Sequence, residues 1–152
     1  MLPKWWMGFG RESNITMSLE DNMTSVKIRL AGAWTALIAL YIYADFLSLY
    51  RPGQLQEIRE GVIGPFDVSQ VTLVIASVTV IIPAVMILLS LPLPASTNRP
   101  LNLVLPVLYT LVNISNLIGE SWAYYLLFGV IEIAVTAFIF FAAWTWLAPR
   151  DG

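Results

Sequence analysis

Four stretches of the chain stay apolar for longer than a soluble helix needs. The first, Ile28 to Tyr50, is interrupted only by Arg29 at its entrance and Asp45 near its exit. The second, from about Val68 to Leu91, carries no charge at all. The third opens at Pro100 and runs to about Ile118, and the fourth covers Trp122 to Leu147. A hydrocarbon layer of ~30 Å takes roughly 20 helical residues. The pattern therefore predicts an all-α fold: an integral membrane four-helix bundle of antiparallel up-down topology, with spans at about 28–50, 68–91, 101–118 and 122–147. The β-branched second stretch would suit a strand by propensity, but it is far too long for one, and a lone strand cannot satisfy its backbone in lipid. Pro83 is expected to kink that helix, and Asp67 with Gln70 three residues on resembles a capping box at its start.

The connections are short. "PLPASTNRP" joins the second and third spans, and Gly119 to Ser121 turn tightly into the fourth, so these neighbours must be antiparallel. The one sizeable loop is "RPGQLQEIREGVIGPFD". In it, Pro52 and Gly53 stop the first helix and Leu55, Ile58 and Val62 form an apolar stripe, which predicts a short helix lying on the membrane surface. Residues 1–27 have little periodicity and read as a mobile cytoplasmic tail, with Met17 or Met23 as alternative starts; 148–152 form a second short tail. The first apolar run is too long, and lacks a small-x-small exit, for a cleaved signal peptide.

Lys and Arg placement sets the orientation. With the N-terminus inside, the inner segments hold Lys4, Arg11, Lys27, Arg29, Arg99 and Arg150, and the outer loops hold only Arg51 and Arg59. The positive-inside rule then puts both termini in the cytoplasm of a multi-pass protein of the cell's inner, cytoplasmic membrane. Trp5, Trp6, Trp122, Trp144 and Trp146 fall near the boundaries, as interfacial anchors do.

Composition narrows the chemistry. A chain of 152 residues that is 58% hydrophobic and 12% charged has no room for a second, soluble domain. The absence of Cys and His removes disulfides, thiol chemistry and the commonest metal ligands. A net charge of −2 leaves no footprint for nucleic acid, and there is no phosphate-binding glycine loop. Neither a cofactor nor a metal is expected; the expected partners are the lipid bilayer, a small amphiphilic ligand and, where function demands it, further copies of the chain.

Polar residues inside the spans are the remaining signal. Tyr109, Asn113, Asn116 and Glu120 recur at helical spacing in the third span, Tyr41, Asp45 and Ser48 in the first, and Tyr125, Gly129, Glu132 and Thr136 in the fourth. Gln70 and Ser77 offer a weaker stripe from the second. With the inferred topology all lie toward the outer side. Exposing a carboxylate to lipid costs about 2.5–3.5 kcal/mol on insertion scales, so the stripes should converge on an interior polar cavity open to the outside. Each residue also has a plainer reading: Asn113 and Asn116 as interhelical hydrogen-bonding glue, Glu120 as a carboxylate paired with Arg51 at a turn, the tyrosines as packing. Glu132 is hardest to treat so, because it lies about 15 Å into its span with no Lys or Arg at similar depth.

The blocks "LYIYADFLSLYRPG", "GPFDVSQ" and "LYTLVNISNLIGESWAYYLLFGVIEIA" resemble a family of small bacterial and archaeal four-helix membrane proteins catalogued as a domain of unknown function. The resemblance covers roughly residues 27–147; it implies the architecture and adds no catalytic residues. The layout is also similar to that of small DoxX-like membrane proteins. For function, the residues suit noncatalytic binding or handling of a small amphiphilic or cationic ligand. Three alternatives stay open: proton-coupled transport through Asp45, Glu120 and Glu132, with dimerisation to build alternating access; an isomerase or cyclase with Glu132 as acid and Asp45 as base; and a structural subunit of a larger membrane complex.

Overall fold

The structure, a computed structural model, describes residues 24–64 and 66–146. Both terminal tails fall almost wholly outside the described residues, as do Trp5, Trp6, Met17, Met23 and Pro65.

Along the chain come α1 (Val26–Ser48), α2 (Gln54–Arg59), a two-stranded hairpin of β1 (Val62–Ile63) and β2 (Phe66–Asp67), α3 (Gln70–Leu89), α4 (Ala95–Leu117) and α5 (Ala123–Trp144). The fold is all-α in its main elements, and α1, α3, α4 and α5 are each long and apolar enough to cross a membrane. Leu55 and Ile58 do lie on a short helix, α2, although Val62 leaves it for β1.

Two boundaries and one element differ from the sequence reading. First, α4 begins at Ala95, so Pro100 sits inside the helix and does not open it. A proline in the second turn removes only one helical hydrogen bond, and the amides of Asn98 and Asn102 hold this turn in place. Second, the cap of α3 is Ser69, whose hydroxyl accepts from the Thr72 N–H at 3.1 Å, so no Asp67–Gln70 capping box forms. Asp67 is committed elsewhere: it pairs with Val62 in the third unexpected feature, the hairpin, where Ile63 pairs with Phe66. Gly64 opens the connection between the strands at φ 56°, a left-handed conformation that favours glycine.

The helices pack in the order α3, α1, α5, α4. The two ends of the bundle differ. At the turn end, where the α3–α4 connection meets the start of α1 and the finish of α5, Leu30, Trp34, Leu37, Met86, Ile139 and Ala142 form the core. Arg99 donates to the carbonyls of Ala143 and Trp144 at the finish of α5, and Lys27 donates to Leu91 O just past α3. Both place positive charge at a helix C-terminus, where the dipole favours it. At the hairpin end the bundle is looser. No residue of α3 before Pro83 is buried, whereas Pro83 and Met86 are. Large apolar side chains such as Val71, Ile75, Leu88, Leu111 and Phe141 face outward, while Asn98, Asn102, Asn113, Glu132 and Thr136 are buried. That is the reverse of the distribution in a water-soluble bundle.

Candidate functional site

A cavity of about 420 Å³ occupies the hairpin end. Its walls come from every long helix: Tyr41, Ala44 and Asp45 of α1; Thr72, Ala76 and Thr79 of α3; Asn113 and Asn116 of α4; Tyr125 and Glu132 of α5. Ile75, Val80 and Val112 add apolar surface, and Phe66 of the hairpin lies at the end. Helical periodicity puts these groups here: residues 41 and 45, 113 and 116, and 125 and 132 each recur on one face of their helix. Six of the eight sequence candidates, Tyr41, Asp45, Asn113, Asn116, Tyr125 and Glu132, are thus brought together.

Burial sorts them. Glu132 is buried, Tyr41 and Tyr125 are partly covered, and Asp45 and Asn116 are exposed toward the mouth. The Tyr41 hydroxyl donates to Asn113 Oδ1 at 2.8 Å, which fixes the rotation of a side chain that is 1% exposed and leaves its Nδ2 without a partner. A buried amide donor left unmatched costs about 1–3 kcal/mol, so an acceptor arriving at this wall has something to gain. Among the described residues, no Lys or Arg lines the cavity.

Tyr109, the seventh candidate, lies below it. It stacks at 6.5 Å against Tyr41 and meets Trp34 edge-on at 6.0 Å. Its hydroxyl donates to the Thr79 carbonyl at 2.7 Å. That carbonyl is the one a residue at position 83 would bond in a regular helix, and Pro83 has no N–H to offer it. The tyrosine completes the helix that the proline interrupts.

Glu120, the eighth, is separate. It lies beyond the end of α4 and pairs with Arg51 at 2.8 Å, the ion pair found among the described residues. Its Oε1 accepts from the N–H groups of Ser121 and Trp122 at 2.7 and 2.8 Å. Desolvation pushes its carboxyl up, but the Trp122 N–H, the Arg51 guanidinium and the Ser121 N–H outweigh it and hold the pKa below the usual value. Arg51 also donates to the Tyr124 hydroxyl at 2.7 Å and sits 5.0–5.5 Å from the ring centroids of Trp122, Tyr124 and Tyr125. This cluster ties the end of α1 to the α4–α5 turn. Glu120 does not line the cavity, and both its oxygens are engaged outside it.

Several striped residues have other partners. Ser48 bonds Asp45 O, Thr136 bonds Thr110 at 2.8 Å, and Gly129 lets Leu117 approach so closely that any Cβ there would clash. Gln70 and Ser77 do not face the cavity; the face of α3 that does is Thr72, Ala76 and Thr79, nearly opposite them around the helix. The sequence reading missed that face because two threonines and an alanine among β-branched residues carry no polar contrast. It also missed Asn98 and Asn102, although their spacing of four was a readable signal.

Among the described residues no group of acids could hold a metal ion. The arrangement offers two carboxyls, two amides and two phenols in one pocket, a set that recognises polar or positive groups by hydrogen bonding and charge. The model of a family of unknown function, DUF6326, matches residues 18–150. No curated protein and no solved structure matches.

Proposed function

We propose that this chain, which belongs to the DUF6326 family, is a multi-pass membrane protein that binds a small amphiphile with a cationic head in the cavity at its hairpin end. The observation that carries the reading is the composition of that cavity. Asp45 and Glu132 come from different helices, no basic side chain accompanies them among the described residues, and Ile75, Val80 and Val112 provide apolar wall for a hydrocarbon body. An ammonium group would supply the charge that the lining lacks, and Asn113 Nδ2 would donate to an oxygen beside it. The inside-out distribution of polar and apolar residues supports the membrane part of the reading, and Lys27, Arg29 and Arg99 at the turn end support that end as cytoplasmic.

Proton-coupled transport is the second reading, favoured by one feature: Asp45 near the mouth and Glu132 deeper in the same cavity stand at graded depths. Acid–base catalysis by the same pair is a third, with no motif to favour it.

Binding is tested by titrating dodecylamine into the protein in nanodiscs. Glu132→Gln should weaken binding at least about tenfold, or about 1.4 kcal/mol, without lowering the melting temperature, and Ala76→Trp, which fills the cavity, should abolish it. Unchanged affinity in both variants would refute the reading. Orientation is tested in this cysteine-free chain: of single cysteines at Ser13, Gln56 and Ser96, only the one at Gln56 should react with an impermeant reagent in intact cells.

A further inference from the structure

We infer that the cavity is filled from the side, by a single-chain amphiphile dissolved in the bilayer that passes between the hairpin-end halves of α3 and α4, and that Pro83 and Tyr109 set the inner limit of that slot. The inference rests on the binding reading above and adds the route and the physical class of the ligand.

Three sides of the bundle are closed by helix packing, α1 on α3, α1 on α5 and α4 on α5, and α3 with α4 is the pair left without comparable approach. Near the turn end these two helices are held together, because Asn98 Nδ2 donates to Ser90 O at 2.7 Å. Halfway along, Tyr109 donates to Thr79 O. Beyond that point, among the described residues, no hydrogen bond joins them. The rims of the slot are apolar: Ile75 is 63% and Val112 39% exposed, yet both also line the cavity, so each touches outside and inside at once. The axial mouth is different, with Phe66, Asp45 and Asn116 around it.

Pro83 explains why the slot starts where it does. A helix that lacks one hydrogen bond bends most easily at that point, and Pro83 is the first residue of α3 that is buried. The Tyr109 hydroxyl compensates by bonding the freed Thr79 carbonyl, which pins α3 to α4 at the pivot and leaves the hairpin-end half free to lean outward. An amphiphile can then place its head between Asp45, Glu132 and Asn113 while its tail remains between Ile75 and Val112, in contact with lipid. A water-soluble cation has no use for this route.

The test uses two probes with the same head, dodecylamine and butylamine, and the full chain in nanodiscs. Cysteines replacing Ile75 and Val112 are joined by a short bis-maleimide. Cross-linking should slow dodecylamine association at least tenfold and leave butylamine unaffected. Equal slowing of both probes, or of neither, would overturn side entry while leaving the binding reading intact; failure of dodecylamine to bind the unlinked protein would remove the binding reading and this inference with it. Tyr109→Phe should speed dodecylamine exchange severalfold in the natural background but not in Pro83→Ala, where the Thr79 carbonyl regains its helical donor. The same effect in both backgrounds would show that Tyr109 acts through general packing and not at the pivot.

Discussion

The two ends of α4 use the same side chain for opposite purposes. At the turn end, Trp34 Nε1 donates to Asn102 Oδ1 at 2.7 Å, Asn102 Nδ2 donates to Asn98 Oδ1 at 2.7 Å, and Asn98 Nδ2 donates to Ser90 O. Each link polarises the next, and the chain stitches α1, α4 and the end of α3 together. At the hairpin end, Asn113 has one satisfied atom and one orphan, and Asn116 is exposed at the cavity. Residue type and helical phase are alike; the distance to the next helix is not. Where α3 lies close, an asparagine is consumed as a fastener, and where α3 stands off, it remains available to a ligand.

The largest expected effect breaks the fastened end. Asn102→Leu would leave Trp34 Nε1 and Asn98 Oδ1 buried and unmatched, so unfolding in detergent should become easier by roughly 2–6 kcal/mol, one unsatisfied-group cost for each. A loss below about 0.5 kcal/mol would mean the amide chain is not what holds this end.

A smaller effect concerns the Arg51–Glu120 latch across the hairpin end. The folded-state pKa of Glu120 is lowered, so its contribution is fully present above the unfolded value and disappears as pH falls through the folded one. Side chains that are 18% and 12% exposed make a mostly covered pair at the edge of the bundle, for which about 0.5–1 kcal/mol is expected. The natural chain should therefore exceed Glu120→Gln in stability by that amount at neutral pH, and the two melting curves should converge in acid. Parallel curves from pH 7 to pH 3 would contradict the assignment.

The smallest effect sharpens the contrast. Asn116 is exposed toward the cavity mouth, so Asn116→Leu should change stability by less than about 0.5 kcal/mol while weakening dodecylamine binding a few-fold. Destabilisation with binding intact would make Asn116 a fastener like Asn102.

Glu132 and Asp45 were legible as site candidates because an acid inside an apolar run is costly wherever it points. Tyr109 was legible as a residue of the same face, but its role was not, because it depends on a carbonyl 30 residues away that a proline leaves free. Glu120 was legible both as a candidate for the cavity and as a partner of Arg51, and because α4 stops at Leu117, three residues short of it, Glu120 leaves the helical phase that pointed it at the cavity. Thr72, Ala76 and Thr79 were illegible, since nothing marks the face of a uniformly apolar helix until a neighbour stands beside it.

The sequence by itself determined the four long helices, their alternation and the residues too polar to face lipid, because these follow from local quantities: run length, periodicity and the cost of a charge in hydrocarbon. Only the tertiary structure decided that α3 stands away from α4 at one end, and with it which asparagines are spent and which are free. That outcome depends on where three helices leave room for the fourth, and on one missing N–H at Pro83, whose consequence appears only when Tyr109 is placed against it.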